Sequence, residues 1–187
     1  MLNLNLPIVE TKRMIIRPIT VNDAEDLYAI ASDERVNRYL LYPMHKSIAE
    51  TKSIIEKVFL NRTANGIPSA YVLVDKSTNK MIGTCDFVNV RYNDIAEIGY
   101  SLNYDYWNQG FMSEALKKVI EVGFDYVGLR RIEIVHSITN LASQRVIEKS
   151  GFVYEGTYRK MLPDKITGKF TDCKHYSILK EEWSMLK

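Results

Sequence analysis

The stretch YWNQGFMSEALKKVIEVGF runs from Tyr106 to Phe124, and Gly110 sits directly ahead of an amphipathic pattern within it. Leu116, Val119, Ile120, Gly123 and Phe124 recur on one side, which predicts a helix over about 113–126, with no capping glycine until Gly128. A helix start leaves backbone N–H groups unpaired and presents the positive end of the helix dipole. A glycine at that point lets an anion approach the backbone without a Cβ in the way. The preceding residues, Glu97 to Leu102, read as a strand, so the order is strand, turn, glycine, helix, a place where a pyrophosphate can dock. A plain loop glycine ahead of a core helix is the alternative. No GK[ST] follows at P-loop spacing and no G-x-G-x-x-G is present, which excludes those two phosphate sites.

Working outward, Met14 to Ile19 reads as a first strand, and Thr20 with Asp23 forms a capping box for a helix bearing Ala24, Leu27, Tyr28 and Ala31 on one face. Ser47 and Glu50 open a second helix with Ile54, Ile55, Val58 and Phe59, stopped near Gly66. Three β-like runs follow: Ser69 to Val74, Met81 to Val88 and Ile95 to Leu102. Short polar turns join them, at Lys76 to Lys80 and at Tyr92-Asn93-Asp94, which predicts antiparallel hairpins. After the central helix, Arg131 to Ile138 is a strand. Asn140 caps a helix bearing Ala142, Val146 and Ile147 and ended by Gly151. Phe152 to Met161 and Lys174 to Lys180 close the chain as strands around a polar loop with Gly168. The order β-α-α-β-β-β-α-β-α-β-β is that of a mixed-sheet α/β domain.

The 187 residues, 46% hydrophobic and 26% charged, suit one domain over 1–187 with a full core. Twenty-five basic against 23 acidic residues give a net charge of +2, spread rather than banked, which leaves no footprint for nucleic acid. No signal peptide opens the chain and no apolar run approaches the roughly 20 residues of a membrane span, so no membrane is expected and the expected location is cytoplasmic. Cys85 and Cys173 are far apart, in no metal-ligand spacing, and read as reduced thiols; no metal is expected.

The later segment Asn140-Leu141-Ala142-Ser143, followed by Glu148-Lys149-Ser150-Gly151-Phe152, changes the weight of Gly110. Together with Ala96-Glu97-Ile98-Gly99-Tyr100 and Trp107-Asn108-Gln109-Gly110-Phe111-Met112-Ser113, it resembles the GNAT superfamily of acetyl-CoA-dependent N-acyltransferases. Met14-Ile15-Ile16-Arg17-Pro18 and Tyr154-Glu155-Gly156-Thr157-Tyr158-Arg159 are similar to the branch of ribosomal-protein N-terminal acetyltransferases, and the resemblance covers nearly the whole chain. It implies a mostly antiparallel central sheet flanked by helices and splayed at the acetyl-CoA site. Two positions depart from the superfamily's Q/R-x-x-G-x-G/A loop: Trp107, which fits the ribosomal branch, and Met112, whose side chain must point away from the phosphates. The position nearest the tyrosine acid of many members is Ile147.

The resemblance implies direct transfer of an acetyl group from acetyl-CoA to a primary amine. Backbone N–H groups from Gln109 through Gly110, Phe111 and Met112 to Ser113 would hold the pyrophosphate, and the pantetheine would run beside Tyr100, Ser101 and Leu102. Ser143 would protonate the departing thiolate, with Asn140 touching the pantetheine or the acceptor; a first-turn serine and an ordinary N-cap are the plain alternatives. A neutral amine must attack, and an α-amine has a pKa near ~8 against ~10.4 for lysine. Glu97 is the first candidate base and Glu155 the second, a solvated or ion-paired strand residue being the other reading. Tyr106 and Trp107 pack or shield the cofactor; His45, His136 and His175 read as structural or exposed, and Lys117 and Lys118 either reach the CoA phosphates or form a solvated face. The acceptor, met mainly by about 20–66 and by the loop 162–170, is a protein N-terminus or a small amine such as an amino acid, polyamine or antibiotic. A CoA sensor without turnover and an unrelated nucleotide-binding domain are the rival classes. The family also makes a homodimer an expectation.

Overall fold

The computed structural model describes residues 2–165 and 167–186. Eight strands form one sheet: β1 (Val9–Glu10), β2 (Met14–Pro18), β3 (Tyr71–Asp75), β4 (Met81–Arg91), β5 (Ile95–Leu102), β6 (Arg131–Ser137), β7 (Val153–Pro163) and β8 (Phe170–Leu179). Their spatial order is β1-β2-β3-β4-β5-β6-β8-β7. Every neighbouring pair is antiparallel except β5 and β6. The β4–β5 hairpin turns at Tyr92 and Asn93, both with positive φ, the geometry the polar turn called for.

A parallel pair needs a crossover connection, and α4 (Phe111–Val122), prolonged by a wider turn over Gly123–Val127, supplies it. Among the described residues the β5–β6 register covers Ile95↔Arg131, Ala96↔Ile132 and Glu97↔Glu133. Beyond that point β5 stays paired with β4 as far as Leu102, and β6 with β8 as far as Ser137. The two strands therefore part into a V whose apex is Glu97 and Glu133.

Helices cover both faces. α4 lays Phe111, Met112, Ala115, Leu116, Val119 and Ile120 into a core shared with Cys85, Phe87, Ile98, Ile132 and Ile134. On the other face α1 (Ala24–Ala31) and α3 (Ile48–Ile54) enclose a second core with Val72, Val74 and Met81. β3 is buried throughout because Tyr71 and Leu73 serve one core while Val72 and Val74 serve the other. Gly123 brings the crossover close to the sheet: a Cβ there would stand 2.8 Å from Ile132 Cδ1 and 3.0 Å from the Phe87 ring. Gly123→Val is expected to lower unfolding free energy by about 2–3 kcal/mol in a urea titration, through overpacking of a rigid core.

Several boundaries differ from the sequence expectation. α4 starts at Phe111 rather than about 113, because Gly110 in the left-handed region (φ 80°) is itself the N-cap. The Thr20–Asp23 box opens on a short 3-10 turn before α1, with the Thr20 N–H donating to Asp23 Oδ2 at 2.7 Å. β8 begins at Phe170, four residues before Lys174, since Phe170 to Cys173 pair with β7 through the backbone and carry no apolar alternation. Unforeseen elements are the two-residue β1, the single turn α2 (Glu34–Asn37) and the final helix α6 (Lys180–Leu186). Their sequences are short or follow a strand without a break. Among the described residues no helix is long and apolar enough to cross a membrane. Cys85 and Cys173 are free and buried.

Candidate active site

A cleft of about 950 Å³ opens at the V between β5 and β6 and continues under α1, α3 and the loop 38–47. At one end lies the loop before α4. Gly110 and Asn108 both adopt positive φ, and α4 has no side-chain cap, so its first-turn N–H groups face the cleft without a side-chain acceptor. Met112 is 4% exposed and packs in the α4 core while also bordering the cleft. Arg13 supports the loop from behind. Its Nη1 donates to Gln109 O at 2.9 Å, its Nε to Glu114 Oε2 at 2.8 Å, and its guanidinium lies 3.9 Å over the Phe111 ring. Trp107 Nε1 donates to Leu102 O at 2.8 Å, and Tyr106 packs edge-on to Phe111, so both aromatics brace the loop as well as bordering the cleft.

The apex of the V carries the candidate base. Alternation puts Glu97, Gly99 and Ser101 on the face opposite α4, and Ile98, Tyr100 and Leu102 toward it. Glu97 is half-buried and borders the cleft, and among the described residues its carboxylate has no hydrogen-bond partner. Burial pushes its carboxyl above the ordinary range and the adjacent Glu133 adds to this, while Arg91 and His175 pull the other way. Glu133 itself is saturated: Arg91 and Arg131 both pair with it, and His175 Nε2 lies 3.4 Å away. Glu155 is the poorer base. Bidentate hydrogen bonds from Arg131 hold its carboxyl down to about 2, Ser177 Oγ also donates to it at 2.7 Å, and it does not border the cleft.

On the other arm of the V, α5 (Leu141–Glu148) presents Ser143. Its Oγ lies 2.7 Å from the Tyr100 hydroxyl, and its backbone N–H donates to Asn140 Oδ1 at 3.1 Å. Asn140 therefore is the helix cap, with its oxygen committed and only its amide NH₂ left for a ligand. Burial pushes the Tyr100 phenol well above its ordinary range, so it stays protonated.

The far half of the cleft is roofed by apolar side chains, among them Leu27, Val36, Leu40, Ile54 and Phe59. Leu162 and Met161 reach it from the β7–β8 hairpin, so the segments assigned to the acceptor do meet there. Lys165 ties that hairpin down, donating from Nζ to Asn37 Oδ1 at 2.7 Å and Tyr42 O at 2.6 Å.

The Acetyltransferase (GNAT) domain family matches residues 13–153. The chain belongs to this family. YoaA of Bacillus subtilis, an uncharacterized N-acetyltransferase, is 36% identical over 176 residues, covering 93% of this chain and 97% of that protein. YdaF of the same organism, a putative ribosomal N-acetyltransferase, is 32% identical over 177 residues, covering 92% and 94%. Among solved structures, the ribosomal-protein-S5-alanine acetyltransferase of Vibrio fischeri superposes with a TM-score of 0.82 at 25% identity, over 95% of this chain and 98% of that one. The mixed, mostly antiparallel sheet is the GNAT fold, and the chain is an N-acetyltransferase.

Within this GNAT framework, three features had no sequence signal. Tyr100 and Ser143 are 43 residues apart, Arg13 and Glu114 are 101 apart, and Arg62 pairs with Asp86 across 24. The three histidines are all buried rather than exposed: His45 bonds Thr51, His136 stacks on Tyr176, and His175 sits between Glu133 and Glu155. Lys118 pairs with Glu121, and neither it nor Lys117 borders the cleft. Among the described residues no cluster of His, Cys, Asp and Glu could hold a metal. A Cβ on Gly110 would meet only Arg13 Nη2, at 3.6 Å, so the cost of a side chain there is in the backbone. Gly110→Ala forces an L-residue into the left-handed region at about 1–2 kcal/mol. The rise in Tm produced by acetyl-CoA is expected to need roughly tenfold more ligand in that variant.

Proposed function

We propose that this GNAT enzyme transfers an acetyl group from acetyl-CoA to the α-amine of a protein N-terminus, of the ribosomal-protein type, by direct attack in a ternary complex. The observation that carries the acceptor assignment is an apolar collar. Leu41, Tyr42, Met44, Val58 and Met161 all border the cleft and are 38–69% exposed. A small amine sinking into the cleft would leave that collar in water, whereas a polypeptide entering by its N-terminus covers it. YdaF and the Vibrio fischeri enzyme, whose names refer to ribosomal acceptors, accord with it.

The uncapped start of α4 fits a pyrophosphate: the backbone N–H groups from Gln109 to Ser113 would hold it, and β5 from Ile98 to Leu102 lies open on its β6 side for the pantetheine. When bound, acetyl-CoA supplies the thioester carbonyl that the amine attacks. Glu97 takes the amine proton, directly or through one water, and its raised pKa brings it nearer the working pH of a general base. Tyr100 and Ser143 share a hydroxyl–hydroxyl hydrogen bond at 2.7 Å; with the tyrosine as donor, the serine's own hydrogen is free for the departing sulfur.

The test is acetylation of peptides with free N-termini, next to the same peptides blocked at the N-terminus but bearing an internal lysine, and next to spermidine and free amino acids. Mass spectrometry should place the acetyl group on the α-amine alone. Turnover confined to the small amines would overturn the polypeptide assignment.

A further inference from the structure

Three carboxylates, Glu97, Glu133 and Glu155, gather with two arginines, Arg91 and Arg131, around the apex of the V. Glu97 and Glu133 are paired in the parallel register, so their side chains leave the same face of neighbouring strands, about 4.8 Å apart. Arg131 pairs with both Glu133 and Glu155, and Arg91 pairs with Glu133. His175 lies 3.4 Å from Glu133 and 3.1 Å from Glu155. Both arginines are thus committed, and among the described residues Glu97 is the one carboxylate of the three that no hydrogen bond holds. Arg91 reaches far to make its pair. It starts on β4 opposite Ile95, whereas Glu133 stands on β6, beyond β5. Its side chain therefore crosses β5 from Ile95 to the flank of Glu97, roughly 10 Å over two strand spacings.

Two carboxylates side by side in a partly buried place do not both ionise freely; unaided, such a pair shares a proton and titrates as a unit. A general base needs the opposite, a carboxylate that is empty at working pH and has no neighbour competing for its proton. The Arg91 bridge meets both needs: it cancels the Glu133 charge where that charge faces Glu97, and it occupies a Glu133 oxygen. Against burial, which pushes the Glu97 carboxyl up, Arg91 acts most strongly, while Glu133 adds to the rise and His175 opposes it. The other ionisable neighbours are spoken for. From β8 come His175, held between two glutamates, and Cys173, buried with its thiol pushed up by that burial. Of the groups bordering the cleft elsewhere, His45 is bonded to Thr51, Glu50 accepts from the Lys46 N–H, and Asp86 is held by Arg62.

We propose that Arg91 is a positioning residue for acetyl transfer: by bridging β5 to Glu133 it keeps that carboxylate from sharing a proton with Glu97, and so reserves Glu97 for the proton of the attacking amine. This rests on the reading of Glu97 as the base. The proton released as the amine nitrogen bonds the thioester carbon goes to a Glu97 oxygen and from there to solvent. Arg91 exchanges no proton and touches no substrate; it acts through its charge on the neighbouring carboxylate.

The experiment is the pH dependence of kcat/KM, with the best amine of the acceptor panel above, in the wild-type enzyme, Arg91→Gln, Arg91→Lys and Glu133→Gln. Arg91→Gln leaves the Glu133 charge facing Glu97, so the acid limb should move to higher pH by about one pH unit. Glu133→Gln removes the like charge and leaves both arginines, so the limb should move to lower pH by a similar amount. Arg91→Lys keeps the cation and should stay near the wild-type profile. A loosened strand would lower activity at every pH alike and could not send two variants in opposite directions. If Arg91→Gln does not fold, the contrast between Glu133→Gln and the wild type carries the test. A limb that stays in place in the folded variants, or moves the same way in both, would overturn the proposal and leave Glu97 standing as the base. A wild-type enzyme without an acid limb, together with a nearly active Glu97→Gln, would instead remove the base and the role of Arg91 with it.

Discussion

Glu97→Gln is expected to lower kcat/KM for a peptide amine by about 100-fold, the low end of what a positioned general base contributes. The substitution keeps the size of the side chain at the apex of the V and removes its proton affinity. The pH profile separates a base from a mere contact. In the wild-type enzyme the carboxyl, raised by burial, is protonated as pH falls through its pKa, so activity is lost on the acid side. In the glutamine variant that limb disappears, and the remaining dependence follows the amine itself, near ~8 for an α-amine. The defect should be larger for a lysine-like amine, near ~10.4, which arrives more fully protonated. The acetyl-CoA-induced rise in Tm should persist, since alternation puts Glu97 on the face opposite α4, away from the loop proposed to hold the pyrophosphate. A loss of less than threefold with an unchanged acid limb would mean that the amine sheds its proton to solvent before it binds, and Glu97 would then be a wall of the acceptor site.

The parts of this molecule that were legible in its sequence are those fixed by local chemistry. Tyr92-Asn93-Asp94 declares a hairpin because asparagine tolerates positive φ, and that one turn sets the β4–β5 register. Gly110 declares a break just ahead of α4, though not that the glycine is itself the N-cap, and Asn140 declares a helix start whose oxygen meets the Ser143 N–H. The splay could be inferred only through family resemblance, since nothing in Ile95 to Leu102 or Arg131 to Ser137 says that two β-rich runs will pair over three residues and then part. Long-range side-chain pairs were invisible for the same reason. Glu155 reads in the sequence as the second candidate base after Glu97, and only the fold places Arg131 across from it. Arg62 and Asp86 lie on different elements with unremarkable neighbours. Burial decides which charges are spent and which remain available, and burial is a property of the assembled sheet.

Ser143→Ala is expected to lower kcat by about 100-fold, again within the range for a positioned proton donor. It should do so with little change in the amount of acetyl-CoA needed to raise Tm, because the role proposed for the serine is at the reacting sulfur and not at the phosphates. Tyr100→Phe keeps the buried ring and deletes only the hydroxyl that lies 2.7 Å from Ser143 Oγ. Without that hydroxyl, the serine loses its hydrogen-bond partner and its hydrogen is no longer directed, for an expected loss of about tenfold, equivalent to ~1.4 kcal/mol. The informative measurement is the double variant. If Tyr100 acts by orienting Ser143, removing it from an enzyme that already lacks the serine hydroxyl costs nothing more, and the two losses fail to multiply. Thioester donors with a more acidic thiol should narrow both defects, since a better leaving group needs less help from an acid. Losses that multiply would show that the two hydroxyls act independently, and would return the proton-donor role to the tyrosine itself. A threefold or smaller loss on Ser143→Ala would mean that the thiolate leaves unprotonated and takes its proton from water.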